Sequence, residues 1–266
     1  MRAVPAGSAH VGAVQSRRAV ALGDSADAAS GIEFVRESAA ADFRRGREFE
    51  PRQRSDAVDR ALNLALASIA TLLVAPVLLL VALGVKLTSP GPVMYTQTRV
   101  GRDRRRLGAA AGSDRRRSNS GGALFTILKF RSMRTNAESG GTAVWAVQND
   151  PRVTPIGNFL RRSRLDELPQ LLNVIRGDMN IVGPRPERPQ IFNELAGQIP
   201  EYSLRALAKP GITGLAQINH TYDTCIDSVR IKVRYDLEYL ESASIWTDLG
   251  IMLMTLPVML LRRGGW

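Results

Sequence analysis

Residues 61–85 read ALNLALASIATLLVAPVLLLVALGV, twenty-five positions without a single charge. As a straight helix this run covers roughly 38 Å, enough for a hydrocarbon core of about 30 Å. Two details argue against a plain span. Pro76 sits near the middle, where it removes a backbone hydrogen bond and kinks or breaks the helix. Both flanks are also basic: Arg44, Arg45, Arg47, Arg52, Arg54 and Arg60 precede the run, and Lys86, Arg99, Arg102 and Arg104 to Arg106 follow it. Basic flanks belong on the cytoplasmic side, and both satisfy that rule only when the segment enters and returns on one side. A re-entrant helix-break-helix over 55–87 is therefore the expectation. A kinked true span and a buried core helix are the alternatives.

Upstream, residues 1–54 carry nine Arg against seven acidic residues and no sustained apolar period, and are read as a disordered tail. Arg17 and Arg18 are not followed by an apolar stretch, so a secretory signal is not expected. Downstream, 88–266 is expected to be one cytoplasmic catalytic domain. Ser89-Pro90-Gly91-Pro92 is a turn, and Val93, Tyr95 and Gln97 alternate as in a short strand. LFTILKFRSM (124–133) reads as its partner strand. The polar, basic stretch 102–122 reads as a flexible loop between them. Helices are expected at NFLRRSRL, at ELPQLLNVIRG (closed by Gly177), over about 190–207 and from about Ser228. KPGITGLAQIN reads as a turn followed by a short strand. The thirteen uncharged residues 249–261 are too few to span a membrane and suit an interfacial or packed helix. The fold class is thus α+β: a mainly helical cytoplasmic domain with a small β-hairpin, anchored by the re-entrant segment and interfacial helices.

Composition narrows the chemistry. Across 266 residues there are 36 basic and 25 acidic side chains, for a net charge of +11, with one cysteine and two histidines. A disulfide framework and a cysteine-rich zinc site are excluded, and a histidine-based metal centre is disfavoured. No Walker A or GxGxxG pattern is present, which disfavours a kinase or dehydrogenase. Residues 99–134 alone hold eleven basic and two acidic residues. A nucleic-acid binder would account for that charge. Its concentration beside an apolar segment, and an aromatic content of only 6%, point instead to anionic lipid or phosphate.

Within SRLDELPQLLNVIRGDMN, Asp166 fits an N-cap and Pro169 the first turn of a helix, so Asp166 and Glu167 are placed at a helix N-terminus. Neighbouring helical residues project about 100° apart. The two carboxylates therefore suit different tasks, one as nucleophile and one as metal ligand; the bland alternative is a cap plus a solvated glutamate. Arg161, Arg162 and Arg164 precede them. Arg185 is stiffened by Pro184 and Pro186, as bidentate phosphate recognition requires. On a strand, Lys129 and Arg131 would share one face. Carboxylates among arginines beside a membrane suggest phosphoryl chemistry.

The words SPGPVMYTQTRVGR, FTILKFRSMR, DPRVTPIGNFLRRSRLDELPQLLNVIRGDMNIVGPRPERP and KPGITGLAQIN, in this order behind an apolar segment with a central proline, resemble the bacterial sugar transferase family, the monotopic phosphoglycosyl transferases. The resemblance covers about three quarters of the chain, from about Arg60 to Arg263. It implies transfer of a sugar-1-phosphate from a UDP-sugar to undecaprenyl phosphate at the cytoplasmic face of the inner membrane, with release of UMP, to begin an exopolysaccharide or related glycan. It implies Asp166 as the nucleophile of a covalent phosphosugar intermediate and Glu167 as the residue associated with Mg²⁺. Arg185, Lys129, Arg131 and Arg164 would be phosphate ligands, Gln217 and Asn219 nucleotide-sugar contacts, and Pro76 the membrane break. Membrane lipid is the implied surroundings; a homo-oligomer or glycan-assembly proteins are possible partners, and nucleic acid is not. Two features depart from the family pattern: Ala75 stands where a serine usually precedes the proline, and the 102–122 loop is long. The competing reading is a non-catalytic membrane anchor or scaffold of a glycan assembly complex.

Overall fold

A computed structural model of the chain describes residues 49–103, 121–135, 137, 150–220 and 225–260. The described residues from 50 onward form one compact unit. The expectations for 1–48 and 104–120 lie outside the described residues. The tail reading needs one correction inside them. By residue 52 the chain is already tied down, because the Arg52 amide donates to the Leu240 carbonyl (2.9 Å) and Arg54 pairs with Asp59 and Asp248.

Helix α1, Asp56–Thr88, runs for 33 residues and is assigned as helix straight through Pro76. The expected division into two helices is not seen. Ser55 caps its start, accepting from the Val58 amide, and the Ser89 amide closes its end on the Val85 carbonyl. Among the described residues it is the one helix long and apolar enough to cross a membrane. Yet one stripe along it is buried or half-buried: Asn63, Ala67, Val74, Leu78, Val81 and Val85 recur at helical spacing. The opposite side is open and apolar, with Leu72, Leu73, Leu79 and Leu80 at least 70% exposed.

Both halves of the stripe rest on the same domain. Ala67, Ala70 and Val74 pack with Ile127, Leu171, Val174 and Met179, while Val81 and Val85 pack with Phe130 and Leu160. Polar ties reinforce the first half: Arg60 donates to the Val174 carbonyl (2.6 Å) and to the Ile175 carbonyl, and the Ile181 amide donates to Asn63 Oδ1 (2.7 Å).

Strands β1 (Met94–Val100) and β2 (Leu124–Phe130) form the expected antiparallel hairpin, with Tyr95 opposite Lys129. Helix α2 (Pro155–Arg162) is capped by Thr154, and α3 (Gln170–Arg176) ends on Gly177 at φ 94°, the left-handed geometry that favours glycine. Strand β3 (Asn180–Val182) pairs in parallel with β4 (Gly211–Thr213). Between them lie α4 (Pro189–Gln198) and a 3₁₀ segment, Pro200–Leu207. The single helix expected over 190–207 is split because Pro200 has no amide to continue the ladder. LAQIN is also not a strand: the strand precedes it, and Leu215–Asn219 is helix α5. Helices α6 (Ile226–Ser242) and α7 (Ile245–Leu260) are the last elements among the described residues, α7 leaving Trp246, Leu253 and Met254 exposed.

Candidate active site

The LDELPQ stretch does not build the site as a simple helix cap. Leu165–Glu167 is a 3₁₀ turn entered through Arg164, the one described non-glycine residue with positive φ (54°). Successive i to i+3 bonds follow, Glu167 to Arg164, Leu168 to Leu165 and Leu171 to Leu168, before α3 takes over. The carboxylates therefore sit one turn ahead of the helix. Glu167 is not the solvated residue of the bland reading: Asp166 and Glu167 are 8% and 7% exposed.

The two acids have opposite surroundings. Lys129 Nζ lies 2.9 Å from Glu167 Oε1, and Arg185 grips both oxygens in a fork, Nη1 at 3.2 Å from Oε2 and Nη2 closing on Oε1. Arg164 stands at 3.9 Å. Burial works to raise the Glu167 carboxyl, but Arg185 and Lys129 outweigh it and hold the group well below the usual carboxylate range. Asp166 accepts no hydrogen bond from the described residues. Burial, then the negative charge of Glu167, pushes it up to about 6 against the pull of Lys129, Arg161 and Arg185. Burial also lowers the Lys129 ammonium.

Tertiary contacts deliver each cation. Asn173 is fully buried at the seam of β2 and α3. Its Oδ1 accepts from the Leu128 amide (3.0 Å) and its Nδ2 donates to the Thr126 carbonyl (2.7 Å), fixing β2 so that Lys129 reaches Glu167. Arg185 lies on the Pro184–Glu187 segment after β3. A small, half-open cleft lies beside it, lined in part by Gly101, Pro184, Pro186, Glu187 and Phe192.

Of the residues expected at the site, Asp166, Glu167, Lys129, Arg164 and Arg185 come together. Arg131 does not. Strand β2 ends at Phe130, the alternation is lost, and Arg131 turns to the end of α1, donating to the Pro90 carbonyl (2.9 Å) and to the Ser89 carbonyl and hydroxyl (2.7 and 2.8 Å). Gln217 donates to the Ile212 carbonyl and Asn219 to the Leu215 carbonyl; neither bonds to the acidic pair. Sequence reading gave no site role to Asn173, Arg99 or Arg205, which are recognised by what they touch across the fold.

Among the described residues no group of three ligating side chains could hold a metal ion alone. Both oxygens of Glu167 are already engaged by cations. Magnesium, however, is commonly held by one or two carboxylates completed by substrate phosphates. Asp166 and Glu167 are the two carboxylates that would hold such an ion.

The model of the bacterial sugar transferase family matches residues 54–262. The chain belongs to that family. The match contains every member of the acidic–basic cluster. Among similar curated proteins, a UDP-glucose:undecaprenyl-phosphate glucose-1-phosphate transferase of Caulobacter vibrioides is 41% identical over 212 residues, covering 79% of this chain and 72% of that one. A protein of the same description from Escherichia coli strain K12 is 44% identical over 74% of this chain. A UDP-N-acetylgalactosamine-undecaprenyl-phosphate N-acetylgalactosaminephosphotransferase of Aeromonas hydrophila is 39% identical over 78% of it. This bacterial sugar transferase spans only 39% of the E. coli relative's length and 45% of the Aeromonas relative's.

Proposed function

We propose that this chain transfers a sugar-1-phosphate from a UDP-sugar to undecaprenyl phosphate, initiating an exopolysaccharide or related glycan. The observation that carries the reading is the asymmetry of the acidic pair: Glu167 is locked by Lys129 and Arg185, while Asp166 beside it accepts no hydrogen bond from the described residues. Asp166 Oδ attacks the sugar-bearing phosphorus, the bond from that phosphorus to the bridging oxygen breaks, and UMP departs with that oxygen. The aspartyl phosphosugar is then attacked by a phosphate oxygen of undecaprenyl phosphate. The bond between phosphorus and the aspartyl oxygen breaks, giving the lipid diphosphosugar and a free carboxylate. Arg185 and Lys129 neutralise the phosphoryl oxygens, and the burial of the site strengthens that effect. Mg²⁺, held by Glu167 with donor oxygens, would supply further neutralisation of the diphosphate.

The setting is the cytoplasmic face of the inner membrane, with the open apolar face of α1 in the bilayer and both of its ends on one side. Supporting this, residues 60–74 and 78–85 of α1 rest on one domain while the opposite face is open and apolar. A helix threaded straight through a bilayer would put those two halves on opposite sides.

The test is UMP release from a panel of UDP-sugars by the full chain in undecaprenyl phosphate-containing vesicles with Mg²⁺. A labelled sugar phosphate should be retained on the protein and lost in Asp166→Asn. Silence with every donor, or unchanged function in Asp166→Ala, would favour the scaffold reading.

A further inference from the structure

Arg205 is 3% exposed, in the 3₁₀ segment between α4 and β4, and nothing in the proposed chemistry uses it. Its guanidinium makes three kinds of contact. Nε and Nη2 donate to Asp236 Oδ2 on α6 (2.9 and 2.7 Å), Nη1 donates to the Tyr202 hydroxyl (2.7 Å), and Nη2 also donates to the main-chain carbonyl of Arg185 (3.1 Å). Asp236 is itself 2% exposed and Tyr202 is fully buried.

A buried ion pair is weak as a stabilising device, since well-packed apolar residues of the same volume do as well or better. Its worth lies in fixing a geometry, and here the fixed object is the backbone that presents Arg185. The same segment is held from its other side. Arg99 Nη1 donates to the Pro186 carbonyl and to Glu187 (both 3.1 Å), the Val100 amide donates to the Glu187 carbonyl, and the Gly211 amide to the Pro184 carbonyl. Arg185 in turn forks onto Glu167. A chain of contacts thus runs from Asp236 on α6, through Arg205 and the Arg185 main chain, to the acidic pair.

We infer that Arg205, anchored by Asp236 and Tyr202, is the positioning residue that sets the Arg185 guanidinium for the donor's diphosphate. The inference rests on the proposed transfer reaction, in which Arg185 binds phosphate. Lysine cannot replace it, because a single ammonium lacks the planar fork that reaches a carboxylate, a hydroxyl and a carbonyl together.

The test uses the full chain in vesicles. Two variants carry it: Arg205→Lys, and the apolar replacement Arg205→Met with Asp236→Leu and Tyr202→Phe. Each is made with and without Arg185→Ala. The apolar triple should fold with a melting temperature at or above the parent's, yet release UMP at least tenfold more slowly, with KM for the UDP-sugar raised. Adding Arg185→Ala to either variant should cost less than threefold more, although it costs the parent most of its activity; that non-additivity is the mark of residues acting as a unit. Parental rates in either folded variant, or losses that multiply independently, would overturn the inference. If the triple does not fold, Arg205→Lys alone decides by the same cycle. Hydrogen exchange provides a readout without turnover. The Gly211 amide, which reports on the Pro184 carbonyl, should exchange at least tenfold faster in Arg205→Lys, and unchanged exchange would overturn the inference. A parent silent with every UDP-sugar indicts the transfer reaction instead, while the exchange measurement still judges the positioning.

Discussion

Asp166 and Glu167 share a turn and a charge, and the fold treats them oppositely. For Asp166 the sign follows from its folded pKa of about 6 against an ordinary 3.8. The fold prefers the protonated form. Its stability is therefore full below the ordinary value, declines as pH rises between the two, and stays reduced above about 6. Two units correspond to at most about 3 kcal/mol. Asparagine cannot ionise, so Asp166→Asn should melt several degrees higher than the parent at pH 7.5 in chelator, the gap closing toward pH 4, while UMP release vanishes. A scan of melting temperature against pH checks this; a variant that melts lower at pH 7.5 would contradict the burial argument. Arg131 supports a contrasting expectation. It holds Ser89 and Pro90, not the site, so Arg131→Met should cost about 1–3 kcal/mol of stability by leaving acceptors unpaired. The KM for the donor should stay within twofold of the parent's in kinetic assays on protein that remains folded.

The elements show what the sequence could and could not disclose. The hairpin, α2, α3 with its Gly177 stop, and the C-terminal helices were legible because each rests on local chemistry: alternation, an apolar–basic pattern, a closing glycine, an amphipathic period. The 3₁₀ turn at Leu165–Glu167 was not, since the left-handed Arg164 before it has no compositional cue. Nor was the strand end at Phe130, which sends Arg131 away from Lys129. Of the site, the acids, Lys129, Arg164 and Arg185 were legible from charge density and resemblance. Their supports were not, because Asn173 and Arg205 act across 45 and 20 residues of sequence. One packing point at this scale is sharply testable. A Cβ on Gly157 would collide with the Ser132 backbone, and backbone cannot swing aside as a side chain can. Gly157→Ala should therefore destabilise by at least about 1–3 kcal/mol, read as a lower denaturation midpoint; an unchanged midpoint would show that α2 has slack against the loop.

For the whole molecule, the decisive matter is where the two ends of α1 lie. Cys225 is exposed and must first be replaced by serine. Single cysteines at Ala57 and Leu87, both exposed, should then react with an impermeant maleimide from the same side of sealed inverted vesicles. Labelling of the two from opposite sides would establish a true span and remove the re-entrant geometry.

The stripe on α1 also bears on how such a chain tolerates insertions and deletions. Ala67 and Val85 belong to different clusters of one domain and stand eighteen residues apart, about five turns at 3.6 residues each. Adding one residue between them rotates one end by about 100° relative to the other, lifting either Ala67 or Val85 off its seat. Length between the two seats is therefore fixed: a single-residue change loses the phase, and a change of seven residues keeps the phase but slides one seat by about 10 Å along the axis. Helix α1 is held to a count by its buried stripe, a constraint that its open apolar face does not share.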